Sequence, residues 1–297
     1  MELCLGTVQF GMDYGIAGQK QPSLGDAVTM LDYAVSNGIR TIDTASAYGT
    51  AEEVVGKFLC EKSVLRERLF LVSKLTPNVL DDVQEEEYYD VMKSKLTATL
   101  QRLHTDYLDS YLLHSSRYVF QEEIIEALSR LRREGYAKHI GVSVYEIDEA
   151  KQCISDPRLD FMQLPFSIFD QRMLKGGVFQ MAEHAHMQIH SRSAFIQGLI
   201  LMQEDKVPPF LERAKPILRK IDIICKKYGF SRIELAMGFV KRQNAVSHLV
   251  FGVDNLAQLK EDILFFSQTI PSNIVAEIGK EFENIATDIV MPSLWKK

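Results

Sequence analysis

Nowhere in its 297 residues does the sequence hold a run of roughly eighteen apolar residues, so no membrane-spanning helix is expected. It also lacks a stripe of lysine and arginine. The formal net charge is −6, and without a basic face there is no electrostatic footprint for nucleic acid. Cysteine is scarce: Cys4, Cys60, Cys153 and Cys225 are scattered with no C-x-x-C spacing, and Cys60 and Cys225 fall in helical patterns, so reduced thiols in a cytoplasmic protein are expected. The opening M-E-L-C-L-G-T-V-Q-F-G has no charged leader, long apolar stretch or small-residue cleavage site, and reads as a strand and turn. Low-complexity linkers are missing, and so is a G-x-G-x-x-G after the first strand. Gly6, Gly11 and Gly15 are too widely spaced for the turn of a dinucleotide-binding open sheet.

What the sequence does hold is alternation. The short apolar runs L-C-L-G-T-V, I-R-T-I-D, L-F-L-V-S-K, Y-L-D-S-Y-L-L-H, H-I-G-V-S-V, F-M-Q-L, M-Q-I-H-S-R and H-L-V-F-G are separated by stretches with apolar residues at helical spacing. One such stretch stops at Asn37-Gly38, a long one covers 86–103, one ends at Glu134-Gly135, and two lie within 216–242. The runs are apolar throughout rather than alternating, as befits parallel strands covered on both faces. Repeated right-handed βαβ units follow, and eight strands predict an α/β fold, a (β/α)8 barrel, with 1–297 as a single domain. The first run is either a barrel strand or part of a short bottom hairpin. A tail helix is expected over 274–285, followed by P-S-L-W-K-K, where Trp295 either contacts substrate or packs on the surface.

Four ionisable residues stand at or just past strand ends: Asp43 closes I-R-T-I-D, Tyr48 follows in T-A-S-A-Y-G, Lys74 closes L-F-L-V-S-K, and His114 closes Y-L-D-S-Y-L-L-H. Parallel barrel strands converge at one face, which brings such residues together. A tyrosine held near a lysine and a carboxylate, with a histidine opposite, is a proton donor placed beside a carbonyl. Taken singly, Asp43 is also a possible helix cap and His114 a possible core histidine. A hydrolase would need paired strand-end carboxylates or a metal cluster, and Asp109 is mid-strand. His184 and His186 are two apart and do not share a helix face, so no metal is expected.

With these residues in place, the chain resembles the aldo-keto reductase superfamily over nearly its whole length. The resemblance rests on the L-G-T opening, I-D-T-A-x-x-Y-G followed by A-E-E-x-V-G, S-K at the third strand end, L-L-H at the fourth, G-V-S at the fifth, Gln163, Q-G-L, and the final G-V-D-N-x-x-Q-L-K-E-D. G-T-V-Q-F-G-M-D-Y-G-I and R-S-A-F-I-Q-G-L are similar to a bacterial branch associated with sugar and cell-surface polysaccharide metabolism. The resemblance implies reduction of a small-molecule aldehyde or ketone by a nicotinamide cofactor. Tyr48 is then the proton donor, Asp43 and Lys74 its charge partners, and His114 the group orienting the carbonyl oxygen. A cationic Lys74 is expected to lower the tyrosine's pKa from about 10.

The same resemblance assigns Gly6, Thr7, Ser143, Gln163, Arg192, Ser193, Phe195, Gln197, Gly198, Gly252, Asp254, Asn255, Gln258, Glu261 and Asp262 to cofactor binding, with Ser143 and Gln163 on the nicotinamide carboxamide. Arg192 stands where an aromatic ring usually stacks on nicotinamide, and its guanidinium suits stacking, the pyrophosphate or an anionic substrate. Gly252 to Asn255 lead into a helix whose N–H groups suit a phosphate. Asn255 replaces the Arg or Lys of many relatives, and Glu261 with Asp262 holds the place of a Glu-Asn pair on adenine. NADP(H) is the family's usual cofactor, while these replacements also admit NAD(H) or dual use. Ser115, Arg117, Tyr118 and Arg172 suit either a polar or anionic substrate or plain surface roles. The other function class these residues leave open is a nucleotide-binding regulatory barrel with little turnover.

Overall fold

A computed structural model describes residues 1–62 and 66–295. Eight parallel strands close into a barrel in sequence order: β1 (Glu2–Gly6), β2 (Thr41–Asp43), β3 (Phe70–Lys74), β4 (Leu108–Leu113), β5 (Ala137–Ser143), β6 (Phe161–Pro165), β7 (Gln188–Arg192) and β8 (Val246–Phe251). Leu5 of β1 pairs with Ile42 on one side and Phe251 on the other, so the first apolar run is a barrel strand and the hairpin alternative falls away. The fold is the α/β barrel that the alternation predicts.

The surrounding helices are Leu24–Ser36, Ala51–Glu61, Tyr88–Leu103, Glu122–Arg133, Ile147–Ser155, Val178–His184, the consecutive pair Lys215–Tyr228 and Arg232–Lys241, and Leu256–Ser267 after β8. Their ends obey local chemistry. The Ser23 hydroxyl accepts from the Asp26 N–H to start the first, and Gly38 takes the left-handed backbone after its last turn at φ +94°. Ser231 and Glu234 form a reciprocal capping box. No helix among the described residues is long and apolar enough to cross a membrane.

Inside the barrel, strand periodicity sets up the site. Phe70, Val72 and Lys74 share one face of β3; Val72 and Phe70 pack with Leu112 and Phe161 below, which leaves the lysine at the top of an apolar plug. Neighbouring strands come close enough at β5 and β6 that a Cβ on Gly141 would sit 1.6 Å from the Phe161 carbonyl oxygen. At the opposite end Asp109 receives Arg66 at 2.8 Å, Lys138 at 2.9 Å and the Leu71 N–H at 2.9 Å, which makes it a structural anchor between β3, β4 and β5.

The tail departs from expectation. In place of one helix over 274–285, a helix Ser272–Glu281 ends at Phe282, and a separate short turn Thr287–Val290 follows. Trp295 packs near Phe210, with ring centroids 6.2 Å apart, and its Nε1–H donates to the Ile289 carbonyl. Its role is packing. Lys296 and Lys297 lie outside the described residues.

His190 is fully buried inside the barrel, 4.4 Å from the Phe161 ring and 4.2 Å from that of His248, with its Nδ1 unpartnered. Burial, with His248 and Lys74 adding to it, holds the His190 pKa well below the ordinary imidazole value. The unfolded chain therefore binds more protons than the folded one in acid. The His190 contribution is fully present above the unfolded value of about 6.5 and is lost as pH falls below it, with a slope of up to about 1.4 kcal/mol per pH unit. Urea unfolding between pH 7.5 and 5 is expected to show this loss, and His190→Gln to flatten it.

Candidate active site

Three strand ends and one turn carry the four ionisable residues that the sequence singled out. Asp43 and Lys74 end β2 and β3, His114 follows β4, and Tyr48 sits in the turn, with its N–H on the Ala45 carbonyl, that leads into the helix Ala51–Glu61. Lys74 is completely buried, and its Nζ donates to Asp43 Oδ1 at 2.7 Å, Oδ2 at 2.8 Å, the Thr44 carbonyl at 3.0 Å and the Tyr48 hydroxyl at 3.4 Å. The Tyr48 and His114 rings meet edge to face at 5.8 Å. All four residues that the sequence singled out converge at one place.

Their electrostatics follow from burial. For Lys74, desolvation favours the neutral amine, but the Asp43 carboxylate and Tyr48 outweigh it, and its pKa lies above the ordinary value. Tyr48 is the reverse of the expectation. Desolvation pushes its pKa up to about 12, and the Lys74 charge offsets only part of that rise. The phenol therefore keeps its proton at neutral pH. Burial, reinforced by the positive charges of Lys74 and Arg192, drives the His114 pKa down to about 3, so its ring is neutral.

These groups open onto a cavity of about 740 Å³. Asp43, Tyr48 and His114 line it, while Lys74 stands behind them. Of the residues assigned to a cofactor, Gly6, Thr7, Ser143, Gln163, Arg192, Ser193, Phe195, Gln197, Gly198, Gly252, Asp254 and Gln258 line the same cavity. The Thr7 hydroxyl donates to the Asp43 carbonyl at 3.0 Å. Gln163 donates its Nε2 to Asp43 Oδ1 at 2.8 Å and leaves its Oε1 buried without a partner.

Three assigned residues are elsewhere. The Asn255 side chain caps the helix Leu256–Ser267 by accepting the Gln258 N–H at 2.9 Å. Glu261 is exposed and off the cavity. Asp262 is fully buried, with both oxygens unpartnered among the described residues; desolvation first, then the charges of Glu261 and Asp254, push its pKa up to about 7. The helix start is also less open to a phosphate than its sequence implied, because Gln258 Oε1 already accepts the Asp254 N–H at 2.9 Å.

Arg192 lies over the Tyr145 ring at 4.1 Å and donates to the Val144 carbonyl at 3.0 Å, with no carboxylate partner among the described residues. The four polar residues suggested for an anionic substrate are committed elsewhere. Arg117 and Tyr118 bind Asp81, Ser115 binds Asn78, and Arg172 binds Asp170 and Glu146; none lines the cavity. The His184 ring nitrogen contacts its own helix's Gln180 carbonyl at 2.6 Å.

Sequence reasoning missed the loop of residues 12–20. Tyr14, Gly15, Ile16, Ala17 and Gln19 line the cavity, and the Ile16 N–H donates to the Gln197 carbonyl at 3.0 Å, which joins this loop to the turn after β7. That turn is strained: Ser193, Ile196 and Gln197 have φ of +64°, +49° and +54°, and a β-branched residue rarely adopts such a value. The one available signal was the unusual density of glycine and tyrosine in G-M-D-Y-G-I. From the tail, Pro292 and Ser293 reach the cavity where Trp295 does not.

The sequence model described as the aldo/keto reductase family matches residues 2–280. The chain is 26% identical to the protein tas of Escherichia coli, over 93% of this chain and 92% of that one. It is 24% identical to the NADH-specific methylglyoxal reductase of the same organism, over 76% and 78% of the two chains. An aldo-keto reductase from Bacillus halodurans in its holo form superposes with a TM-score of 0.77 at 20% identity, covering 98% of this chain and 95% of its own.

Two measurements check the electrostatics. Lys74→Met leaves the Asp43 carboxylate buried and unpaired, so denaturant unfolding is expected to show a loss of about 3–5 kcal/mol, and adding Asp43→Asn to recover much of it. Nitrogen NMR of the His114 ring is expected to report a neutral imidazole at pH 5; an ordinary titration near 6.5 would contradict the burial argument.

Proposed function

The chain belongs to the aldo/keto reductase family, and from that premise we propose that it reversibly reduces a small aldehyde or ketone to an alcohol, with a nicotinamide dinucleotide as hydride carrier and Tyr48 as proton donor. The observation that carries the reading is the buried Asp43–Lys74 pair whose ammonium also donates to the Tyr48 hydroxyl, 3.4 Å away, at the wall of a large cavity.

The cavity's residues suit such a carrier. Gln163 Oε1, buried and unpartnered close to Ser143, is an acceptor lacking a donor, which an amide N–H of a carboxamide supplies. Gly198 at φ +96° and the left-handed Gln197 turn backbone toward the cavity, where a pyrophosphate would run. When bound, the dinucleotide supplies the hydride.

Everything else falls to side chains of this chain. Neutral His114 donates one hydrogen bond and so orients a carbonyl oxygen while placing no full charge beside it. The Tyr48 hydroxyl meets the same oxygen as negative charge builds there, an electrostatic contribution of about 10²–10³ for a well-placed donor. An alkoxide is a stronger base than a phenolate, so the proton moves from Tyr48 even with a phenol pKa of about 12. The Lys74 ammonium then stabilises the phenolate left behind, and Asp43 keeps that ammonium charged. In the oxidation direction the same phenolate receives the alcohol's proton.

The relative named for methylglyoxal reduction makes short dicarbonyls the first substrates to screen, with sugar-derived aldehydes next. Tyr48→Phe is expected to lower reduction by about 10²–10⁴-fold, followed by dihydronicotinamide absorbance, with dinucleotide binding retained in a parallel calorimetric titration. Undiminished turnover in that variant would remove Tyr48 as donor. Binding without turnover of any carbonyl in the unaltered protein would favour a regulatory barrel.

A further inference from the structure

The far end of the cavity carries charge of the wrong sign for a 2′-phosphate on the adenosine of a dinucleotide. One cavity runs from His114, Ser143 and Gln163 to the end of β8, so a dinucleotide with its nicotinamide at the first group would have the β8 end for its adenosine. The cavity wall there is Val250, Phe251, Gly252, Asp254 and Gln258, which includes no lysine or arginine. Asp254 is half-buried, with Gln9 packed against the neighbouring Gly252 so tightly that a Cβ would lie 2.2 Å from Gln9 Oε1. A carboxylate in that setting is screened less by water than one on an open surface.

Three further facts remove the usual means of holding a phosphate. Asn255 spends its side chain on the Gln258 N–H, and Gln258 spends its own on the Asp254 N–H, so neither side chain is free to meet a phosphate. Lys260, the cation in the first turns of that helix, is turned away over the Tyr33 ring at 5.3 Å. Glu261 and Asp262, off the cavity, bring no positive charge to this helix start. An acidic side chain beside an adenosine ribose is the arrangement that accepts hydrogen bonds from the 2′-hydroxyl, whereas a 2′-phosphate calls for an arginine.

We propose that Asp254 is a specificity-determining residue that selects NADH over NADPH, by accepting hydrogen bonds from the adenosine ribose hydroxyls and repelling a 2′-phosphate. This rests on the dinucleotide reading above and narrows it to one cofactor. The discrimination is electrostatic, so it weakens as ionic strength rises. The cavity's other cation besides Arg192 is Lys206, which comes from the long connection after β7, has a side chain 72% exposed and pairs with Asp205 at 3.7 Å. A pyrophosphate contact from Lys206 would strengthen both nucleotides alike.

The test is calorimetric titration of the intact protein with NADH and, separately, NADPH, at low and at high salt, for the unaltered chain and for Asp254→Asn and Lys206→Ala. NADH is expected to bind at least about tenfold more tightly, a difference of about 1.4 kcal/mol. The gap should narrow at high salt and in Asp254→Asn, which removes the charge and keeps the size, while Lys206→Ala should leave the ratio unchanged. Equal affinities, or tighter NADPH, would overturn the inference and leave the carbonyl-reductase reading standing. A gap that Asp254→Asn does not alter would take the role from Asp254, and a selective loss of NADPH in Lys206→Ala would place a 2′-phosphate on the lysine instead. Binding of neither nucleotide would overturn both readings together.

Discussion

The contact on which the site depends is the ion pair between Asp43 and Lys74, fully out of water and held at 2.7 and 2.8 Å. Neither charge is tolerable there alone, since an unpaired buried ion costs several kcal/mol. The barrel makes the pair possible: β2 and β3 are neighbours in register, Asp43 opposite Val72, so two residues 31 apart in sequence end their strands side by side. The apolar plug of Val72, Leu112 and Phe161 beneath them excludes the water that would otherwise solvate both. The lysine's remaining donors then have few places to go. One takes the Thr44 carbonyl at 3.0 Å and another reaches the Tyr48 hydroxyl at 3.4 Å.

Burial that tightens this pair also works against the tyrosine, and the size of the two effects decides the chemistry. Desolvation raises the Tyr48 pKa more than the lysine lowers it, while for His114 desolvation and the two nearby cations act in the same direction. The pKa values of Tyr48 and His114 are thereby driven apart, to about 12 and about 3. Between those limits the Tyr48 phenol carries its proton and the His114 imidazole is neutral. Separation of pKa values by environment is how a site assigns roles to its groups. In the proposed reaction this suits Tyr48 to give the proton and His114 to orient the oxygen.

Much of this was legible in the sequence, for identifiable reasons. Strands covered on both faces write continuous apolar runs, and Asp43, Lys74 and His114 interrupt such runs at their ends, where a barrel must expose them to its active face. What stayed hidden depended on competition between partners that sequence spacing does not rank. Asn255 had the position of a phosphate ligand and the chemistry of a helix cap, and the cap at its own helix start was the nearer demand. Arg117 and Arg172 had the charge for an anionic substrate, yet Asp81 and Asp170 claim them. The rise in the Tyr48 pKa is a property of packing, which no single residue records. The contact between Ile16 and Gln197 joins loops far apart in sequence through main-chain atoms alone, and main-chain atoms leave no signature in residue identity.

Asp43 also ties the reacting side of the barrel to the side that fits a cofactor. A carboxylate can only accept, so the Gln163 amide must turn its nitrogen toward Asp43 Oδ1, and its oxygen is thereby committed to the role of acceptor. That orientation decides what Gln163 can recognise: a donor such as an amide N–H completes it, and an acceptor does not. Thr7 adds a second link by donating its hydroxyl to the Asp43 carbonyl, which fixes the end of β1 against the end of β2. One ionised carboxylate thus sets the charge on Lys74, through it the setting of Tyr48, and the hydrogen-bonding sense of Gln163. The aspartate's charge therefore matters at each of these points, and an asparagine in its place would keep the shape of the strand end while leaving the lysine's charge uncompensated and the amide free to turn.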